Sequence, residues 1–212
     1  MKKGWAIKYG NLTILSAIGM FLSYIACQVT KEETGFGVYF SLMITFGTCF
    51  YHLFVRLLAG AVMRFLFKSV VFVQKEECGQ RKNAGGKRGI SLAEHFWFRE
   101  RAFEKKVYDR LQVKKWKGRM PTYAPETFSL GEYSPDEVIR SMCQAELTHE
   151  VNVALSFVPL FFALFAGEFP VFLCTSLAAS AFDMIFVIIQ RYNRPRLVRL
   201  WNRKIKNSRK MV

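Results

Sequence analysis

Residues 169–197, FPVFLCTSLAASAFDMIFVIIQRYNRPRL, decide the fold class of this chain. The first part of the stretch, 169–189, contains one charged side chain, Asp183, whereas 190–197 contains three arginines. A run of about 20 apolar residues is long enough for a helix to cross the hydrocarbon of a bilayer. Arginines that follow such a run are typical of the place where the helix leaves the membrane. This stretch therefore predicts a transmembrane helix.

Three further stretches, 11–28, 36–58 and 151–167, are also long, apolar and nearly free of charge. Each approaches the length that a helix needs to span a bilayer. We therefore predict an all-α integral membrane protein of about four transmembrane helices. The segments between and after them mix aromatic, aliphatic and basic residues, which favours amphipathic helices lying on the cytoplasmic surface of the membrane.

The 31 basic residues are placed unevenly along the chain. Three precede the first span, one lies between the first two, eighteen fall in 56–148 and nine follow residue 190. Because basic residues accumulate on the cytoplasmic side, both termini and the middle region are expected in the cytoplasm. We predict a multi-pass protein of the cytoplasmic membrane, in which the first span is an uncleaved anchor rather than a signal peptide.

The net charge of +15 also raises the possibility of nucleic-acid binding. The sequence has no zinc-ligand spacing, helix-turn-helix pattern or aromatic RNA-binding motif, and its basic runs flank apolar spans. Attraction to anionic lipid head groups accounts for them, so we expect no nucleic-acid partner. The five cysteines are scattered, and we expect no metal site and no disulfide framework.

These patterns divide the chain into five segments. The predicted organisation is two transmembrane helices running into an interfacial helix (1–73), a flexible basic loop (74–94), a cytoplasmic or interfacial helical region (95–148), a transmembrane hairpin (149–190) and a basic amphipathic tail (191–212). Within the third segment, Ser134 and Pro135 predict the start of a helix that continues directly into the third span.

Charged groups at membrane depth are costly, so each is a hypothesis about function. Glu146, His149 and Glu150 stand at the start of the third span, and spacings of three and four place them on one helical face. Asp183 lies well inside the fourth span, and Gln190, seven residues later, returns to nearly the same side of that helix.

The tight connection at 167–170 makes the third and fourth spans antiparallel neighbours. At 1.5 Å per residue from that connection, His149 lies about 28 Å along the third span, whereas Asp183 and Gln190 lie about 22 Å and about 33 Å along the fourth. His149 is therefore expected at the level between them, near the cytoplasmic face. Just beyond this level, in the head-group layer, we expect Arg191, Asn193 and Arg194.

A histidine with a nearby carboxylate can take a proton from a hydroxyl, because imidazole titrates near neutral pH and the acid fixes its tautomer. Glu146, Glu150 or Asp183 could orient His149 in this way. The alternative is that these groups satisfy one another as an interhelical polar clamp without chemistry. Since no nucleophile motif is present, a nucleophile would come from a substrate.

Three motifs together resemble one known family. They are QRYNRPRL at the end of the last span, Glu146-x-x-His149 at the start of the preceding one, and Trp116-Lys117 within VKKWKGRMP. The chain is similar over roughly 95–200 to the glycosyl-diaponeurosporenoate acyltransferase family. The namesake of that family attaches a fatty acyl chain to the sugar of a glycosylated carotenoid, the last step of staphyloxanthin synthesis.

The resemblance implies acyl transfer from an activated thioester, acyl-CoA, to a hydroxyl of a glycolipid or glycosylated isoprenoid at the cytoplasmic leaflet. The hypothesis makes His149 the general base, with Glu146 and Asp183 as further catalytic residues. The residues proposed to bind donor phosphates, the oxyanion or sugar hydroxyls are Gln190, Arg191, Tyr192, Asn193, Arg194, Arg196, Trp116, Lys117, Arg119 and Glu150. The expected partners are membrane lipids, a lipid-linked sugar acceptor and the acyl donor, with no bound cofactor.

The sequence also departs from the family pattern. It has an additional amino-terminal span and a long insert at 56–94, and it has Asp at 183 where the family pattern has Asn. Two other functions therefore stay open at this point: a different lipid-modifying membrane transferase, for methyl or phosphoryl groups, and a non-catalytic lipid-binding or assembly protein. The acceptor lipid and the oligomeric state are also open.

Overall fold

Helices account for nearly all of the described chain. The computed structural model describes residues 2–31, 37–81, 96–119, 133 and 135–208. Within these ranges no strand occurs. The helices are α1 (Lys2–Lys31), α2 (Gly37–Arg81), α3 (Ala102–Arg110), α4 (Val113–Trp116), α5 (Pro135–Leu155), α6 (Pro159–Ala166) and α7 (Phe169–Ser208), with a 3-10 turn at Lys117–Arg119.

Four helical stretches are long and apolar enough to cross a membrane: Tyr9–Val29, Gly37–Phe67, Glu137–Ala166 and Phe169–Leu200. They overlap the four spans predicted from hydropathy, three of them being markedly longer than predicted, and the prediction of an all-α membrane protein is confirmed. Large apolar side chains such as Phe161, Leu164 and Phe165 are exposed, as expected for surfaces that face lipid.

Helix α2 is longer than its apolar core. It continues to Arg81, eight residues into the stretch where a flexible loop is predicted from residue 74. The extension QKEECGQR contains Gln, Lys and Glu, which have high helix propensity, so Gly79 alone does not end the helix. The remainder of the predicted loop, 82–94, lies outside the described residues.

The third span is interrupted rather than continuous. Helix α5 begins at Pro135, where the sequence predicts a helix start, but it ends at Leu155, and α6 begins at Pro159. Proline has no N–H and its ring clashes with the carbonyl four residues earlier, which here is Leu155. The Leu155 carbonyl instead accepts hydrogen bonds from the Val158 N–H at 3.2 Å and from the Tyr51 hydroxyl at 3.0 Å. The break is therefore stabilised by a side chain of α2.

Helix α7 passes through its proline. A proline inside a helix usually ends or kinks it, yet α7 continues through Pro195 without interruption from Phe169 to Ser208. The predicted basic tail is therefore, as far as Ser208, the last part of α7 rather than a separate helix. The residues on either side of Pro195 are held by contacts described below, which offset the lost helical hydrogen bond.

The chain divides into two compact units. Unit 1 comprises Met1–Met63 and Glu150–Met184. It contains an apolar cluster of Ile44, Ala163 and Phe172, packed against parts of α1 and α6. In the same unit α1 and α2 approach closely at Gly19. A Cβ atom built there would lie 2.7 Å from the Phe50 ring of α2, so a larger residue would not fit without a shift.

Unit 2 comprises Arg64–His149 and Ile185–Val212. One apolar cluster in it joins Phe98 to Ile139 and Cys143 of α5. A second cluster joins Tyr108 and Val113 to Tyr192 of α7. The short helices α3 and α4 are separated by Gln112, whose positive φ of 50° marks the reversal between them. These clusters fix the short helices against α7 within this unit.

The Gly19 contact predicts an asymmetric response to substitution within α1. Gly19→Val should lower the free energy of unfolding by about 1–3 kcal/mol, because the added side chain would overlap the Phe50 ring. Gly10→Val is the matched control, since a Cβ there meets no atom within 4 Å. Denaturant titration of both variants in detergent micelles measures the difference, and equal effects would contradict the close packing of α1 on α2.

Candidate active site

The side chain of Glu146 on α5 is completely buried and faces two arginines of α7. Arg191 Nη1 donates to Glu146 Oε1 at 2.8 Å, and Arg194 Nη1 donates to Glu146 Oε2. Each carboxylate oxygen therefore has its own guanidinium partner. Charge-assisted bonds of this kind are among the strongest hydrogen bonds in proteins, which explains how a carboxylate can be held away from water.

The same arginines bind a second acid and the main chain before α3. Arg191 Nη2 lies 2.5 Å from Glu104 Oε1, and its Nη1 donates to the Trp97 carbonyl at 3.2 Å. Arg194 donates to the Phe98 carbonyl and its guanidinium lies 5.1 Å from the centre of the Phe98 ring. We call the four charged residues, Glu104, Glu146, Arg191 and Arg194, the arginine–glutamate cluster. Its formal charge is zero.

A second group of side chains surrounds the ring of Tyr192. The Arg196 guanidinium lies 3.7 Å and the Lys117 Nζ atom 4.7 Å from the centre of this ring, both within cation–π distance. Lys117 also donates to Asn193 Oδ1 at 2.5 Å. We call Lys117, Tyr192, Asn193 and Arg196 the basic shelf. Unlike the arginine–glutamate cluster, these residues carry a formal charge of +2 without an acid among them.

Tyr108 connects these two groups. Its ring packs edge-to-face on Tyr192, with 5.6 Å between ring centres, and its hydroxyl donates to Glu104 Oε2 at 2.8 Å. Burial raises the pKa of the Tyr108 phenol, and the hydrogen bond to the Glu104 carboxylate raises it further. The phenol thus stays protonated and donates to Glu104.

The ionisation of Lys117 in the basic shelf is also shifted. Burial, together with the nearby Arg196, lowers the pKa of Lys117 from its ordinary value.

His149 follows Glu146 by one helical turn on α5. Its imidazole stacks on the ring of Phe186, with 4.8 Å between ring centres and an interplanar angle of 15°. The ring is partly exposed, in contrast to the buried Glu146. This stacking on a flat apolar neighbour fixes the orientation of the imidazole ring.

Asp183 belongs to unit 1, and its described partners are not residues of the arginine–glutamate cluster. Arg56 Nη2 lies 2.6 Å from Asp183 Oδ2, and Arg56 Nε donates to the same oxygen at 2.9 Å. Asn152 Nδ2 donates to Asp183 Oδ1 at 3.4 Å. Glu150 is also part of unit 1, whereas the other residues proposed for the site belong to unit 2.

The remaining residues proposed for the site are Trp116, Arg119 and Gln190. The Trp116 indole donates to the Leu111 carbonyl at 2.9 Å, which closes the turn between α3 and α4. Arg119 is exposed and Gln190 is partly exposed. Their proposed roles in substrate binding stay predictions.

Glu104 and Tyr108 were missed by the sequence analysis. Glu104 is one of few acids in a strongly basic segment, and Tyr108 follows it by four residues, the spacing of neighbours on a helical face. This spacing could have indicated from the sequence that Glu104 and Tyr108 contact each other. In contrast, the contact between Glu104 and Arg191 joins residues 87 positions apart, and no local pattern indicates it.

The comparison with known families bears on what these groups do. The family model for glycosyl-4,4'-diaponeurosporenoate acyltransferase matches residues 94–203, which is just over half of the chain. The chain belongs to this family. No curated protein and no solved structure gives a significant match. The resemblance noted from the three motifs is thereby confirmed.

Membership of the acyltransferase family identifies the chain as an acyltransferase enzyme and decides against the methyl-transfer, phosphoryl-transfer and non-catalytic alternatives. The matched range contains the arginine–glutamate cluster, the basic shelf, His149 and Asp183. Arg56, the partner of Asp183, lies before it.

The arginine–glutamate cluster predicts a large effect from a nearly isosteric change. Glu146→Gln should lower the free energy of unfolding by about 3–5 kcal/mol, because two arginines lose their shared carboxylate partner in a buried place. Glu100→Gln is the control, since the Arg199–Glu100 pair at 2.7 Å is largely exposed and should contribute about 0–1 kcal/mol. Denaturant titration in micelles compares the two, and a Glu146 effect no larger than that of the control would refute the structural role of the cluster.

Proposed function

We propose that this acyltransferase moves a fatty acyl group from acyl-CoA to a hydroxyl of a glycolipid or glycosylated isoprenoid at the cytoplasmic leaflet of the cytoplasmic membrane. The observation that carries the proposal is the basic shelf in a chain of this family. Two cations without an acid among them suit a ligand with several phosphates. The phosphates of coenzyme A have this chemistry.

The arginines that are paired with glutamates and the arginine of the basic shelf have different proposed roles. Arg191 and Arg194 are engaged by two carboxylates and by main-chain carbonyls, so they serve as a frame that positions α5 and the turn before α3. Arg196 is exposed and Lys117 partly so, and these two are the proposed ligands of the donor phosphates. Glu146 is then a positioning residue for His149, one turn along the same helix.

His149 is the proposed general base. The acceptor hydroxyl oxygen attacks the thioester carbonyl carbon, His149 takes the hydroxyl proton, and collapse of the tetrahedral intermediate breaks the carbon–sulfur bond. The thiolate leaves as coenzyme A and receives the proton from His149, so the enzyme ends unchanged. No covalent acyl-enzyme is needed in this scheme, because the acceptor itself is the nucleophile.

The proposed orientation follows the distribution of basic residues along the chain. With both termini in the cytoplasm, the end of the fourth span that carries Arg191–Arg196 lies on the cytoplasmic side, where acyl-CoA is found. Membrane lipids and a lipid-linked sugar acceptor would reach the enzyme by diffusion within the bilayer.

The first test is direct. Lipid mass spectrometry of cells with and without the gene should reveal acylated glycolipids that disappear on deletion, and purified protein in micelles should form the same ester from acyl-CoA. His149→Gln should reduce the rate by about 10²- to 10⁴-fold, as expected for loss of a general base.

The control for that variant is Thr148→Ala. The hydroxyl of Thr148 bonds to the Gln144 carbonyl of its own helix, so its loss should leave the rate nearly unchanged. An unchanged set of acylated glycolipids in the deletion strain, or full activity of His149→Gln, would overturn the proposal.

The second test separates phosphate binding from acyl transfer. Lys117→Ala and Arg196→Ala should raise the KM for acyl-CoA without lowering kcat, because each removes a charged contact to the donor. The same variants should behave like the unmodified enzyme with an acyl-pantetheine donor, which lacks the nucleotide and its phosphates. An equal KM increase for both donors would show that the basic shelf does not bind the phosphates.

A further inference from the structure

A pocket with charged walls lies between the turn before α3 and the last part of α7, entirely within unit 2. Its volume is about 370 Å³. Four of its lining side chains are charged, namely Arg99, Glu100, Arg194 and Arg199. We call this cavity the arginine pocket. Of the described residues to which the proposed function gives a role, Arg194 alone lines it.

The arginine pocket and the basic shelf face different sides of α7. Arg194 and Val198 line the pocket, and each is two positions from Arg196 of the shelf. Two positions on an α-helix correspond to a rotation of about 200°. The pocket is therefore a separate site from the proposed site of the donor phosphates.

The charged groups around the pocket leave one positive charge unbalanced. Arg194 is bonded to Glu146, within the neutral arginine–glutamate cluster, and Arg199 pairs with Glu100 at 2.7 Å. The side chain of Arg99 is exposed, and it forms no ion pair with a carboxylate among the residues that the structure describes. A ligand with a single negative charge would therefore neutralise the pocket.

The guanidiniums of Arg99 and Arg199 suit a phosphate group, because a guanidinium can bind two phosphate oxygens through parallel N–H···O bonds. The Arg199–Glu100 pair is largely exposed, so it contributes little stability and leaves Arg199 able to bind a stronger acceptor. The Glu100 carboxylate can then accept hydrogen bonds from hydroxyls that neighbour the phosphate.

The pocket lies where the fourth span leaves the membrane. The stretch Phe169–Leu200 has 32 residues and is apolar enough to cross a bilayer. At 1.5 Å per residue it extends about 48 Å, which exceeds the roughly 30 Å of a hydrocarbon core. Its end at 194–199 is therefore expected in the head-group layer. Trp97, next in sequence to the pocket, is exposed, and tryptophan is typical of this depth.

The remaining walls distinguish a lipid from a free anion. They are the side chains of Phe98, Pro195 and Val198, which are apolar. An apolar wall offers nothing to an inorganic ion, whereas it can contact the glycerol and the first methylene groups of a phospholipid. Basic pockets at the ends of membrane spans are also known to bind anionic head groups.

We infer that the arginine pocket binds the phosphodiester head group of one anionic phospholipid of the surrounding bilayer, such as phosphatidylglycerol. The single negative charge of this lipid matches the unbalanced charge of Arg99, and a zwitterionic lipid has no net charge to match it. The bound lipid would join the turn before α3 to α7. The inference does not depend on the proposed reaction.

Native mass spectrometry of the full-length protein tests the pocket without a catalytic readout. The protein in micelles receives equal amounts of phosphatidylglycerol and phosphatidylcholine with the same acyl chains, and the lipid that stays bound after release from the micelle is counted. One phosphatidylglycerol per chain should be retained in preference to phosphatidylcholine. Equal retention of the two lipids would overturn the inference.

Variants locate the retained lipid. Arg99→Gln and Arg199→Gln should each reduce retention by about 3- to 10-fold, because each removes a charge-assisted contact. Both side chains are exposed, so the variants should fold. Arg101→Gln and Arg203→Gln are the matched controls, since both residues are exposed and neither belongs to the described lining of the pocket. An equal loss in the controls would mean that retention follows net charge alone, which contradicts a specific pocket.

Competition identifies the source of the phosphate. Inorganic phosphate and coenzyme A should leave the phosphatidylglycerol bound, because neither has a diacylglycerol to rest against the apolar wall. Displacement by inorganic phosphate would make the pocket a general anion site, and displacement by coenzyme A would make it a donor site; either result overturns the lipid assignment.

The variants of the basic shelf separate this inference from the proposed function. Lys117→Ala and Arg196→Ala should retain phosphatidylglycerol like the unmodified protein, whatever their effect on the KM for acyl-CoA. Loss of the lipid in these variants would show that the pocket and the shelf are one site. If the lipid is retained as expected but no acyl ester forms, the pocket stands and the proposed reaction fails.

Discussion

A carboxylate removed from water needs opposite charge and hydrogen-bond donors around it, and this requirement organises unit 2. Glu146 meets it through Arg191 and Arg194, which stand one turn apart on α7. Because Arg191 also binds Glu104 and Arg194 binds the main chain at Phe98, the same contacts fix α3 and the turn before it. The desolvation of these charges is offset only while every partner is present, so the arrangement tolerates little change.

Much of the fold was predictable, since spans of about 20 apolar residues leave a strong compositional signal. The neighbourhood of Glu146 and the arginines was also predictable, because helical rise converts sequence position into depth on two antiparallel spans. The partnership of Glu104 with Arg191 was not, since it depends on how a surface segment folds back over 87 residues. The same holds for Arg56 and Asp183, which are 127 residues apart.

Pro159 and Pro195 show that the local rule for proline does not by itself decide whether a helix ends. Pro159 separates α5 from α6, as its missing N–H and ring clash require, and the Leu155 carbonyl accepts instead from the Val158 N–H and the Tyr51 hydroxyl. Pro195 has the same covalent limits, yet α7 continues past it. The local rule would end a helix at both prolines. Only the tertiary contacts of Arg191 and Arg194, which hold the turn before Pro195, distinguish the second case.

The length of α7 has a mechanical consequence. Its 40 residues extend about 60 Å, twice the thickness of the hydrocarbon layer, so much of the helix must lie outside the bilayer core. The apolar part and the arginines share one continuous backbone. A thicker or thinner bilayer would therefore change the tilt or depth of the helix, and this adjustment would reach the guanidiniums that hold Glu146. Hydrophobic mismatch thus becomes a physical input to the geometry of the arginine–glutamate cluster.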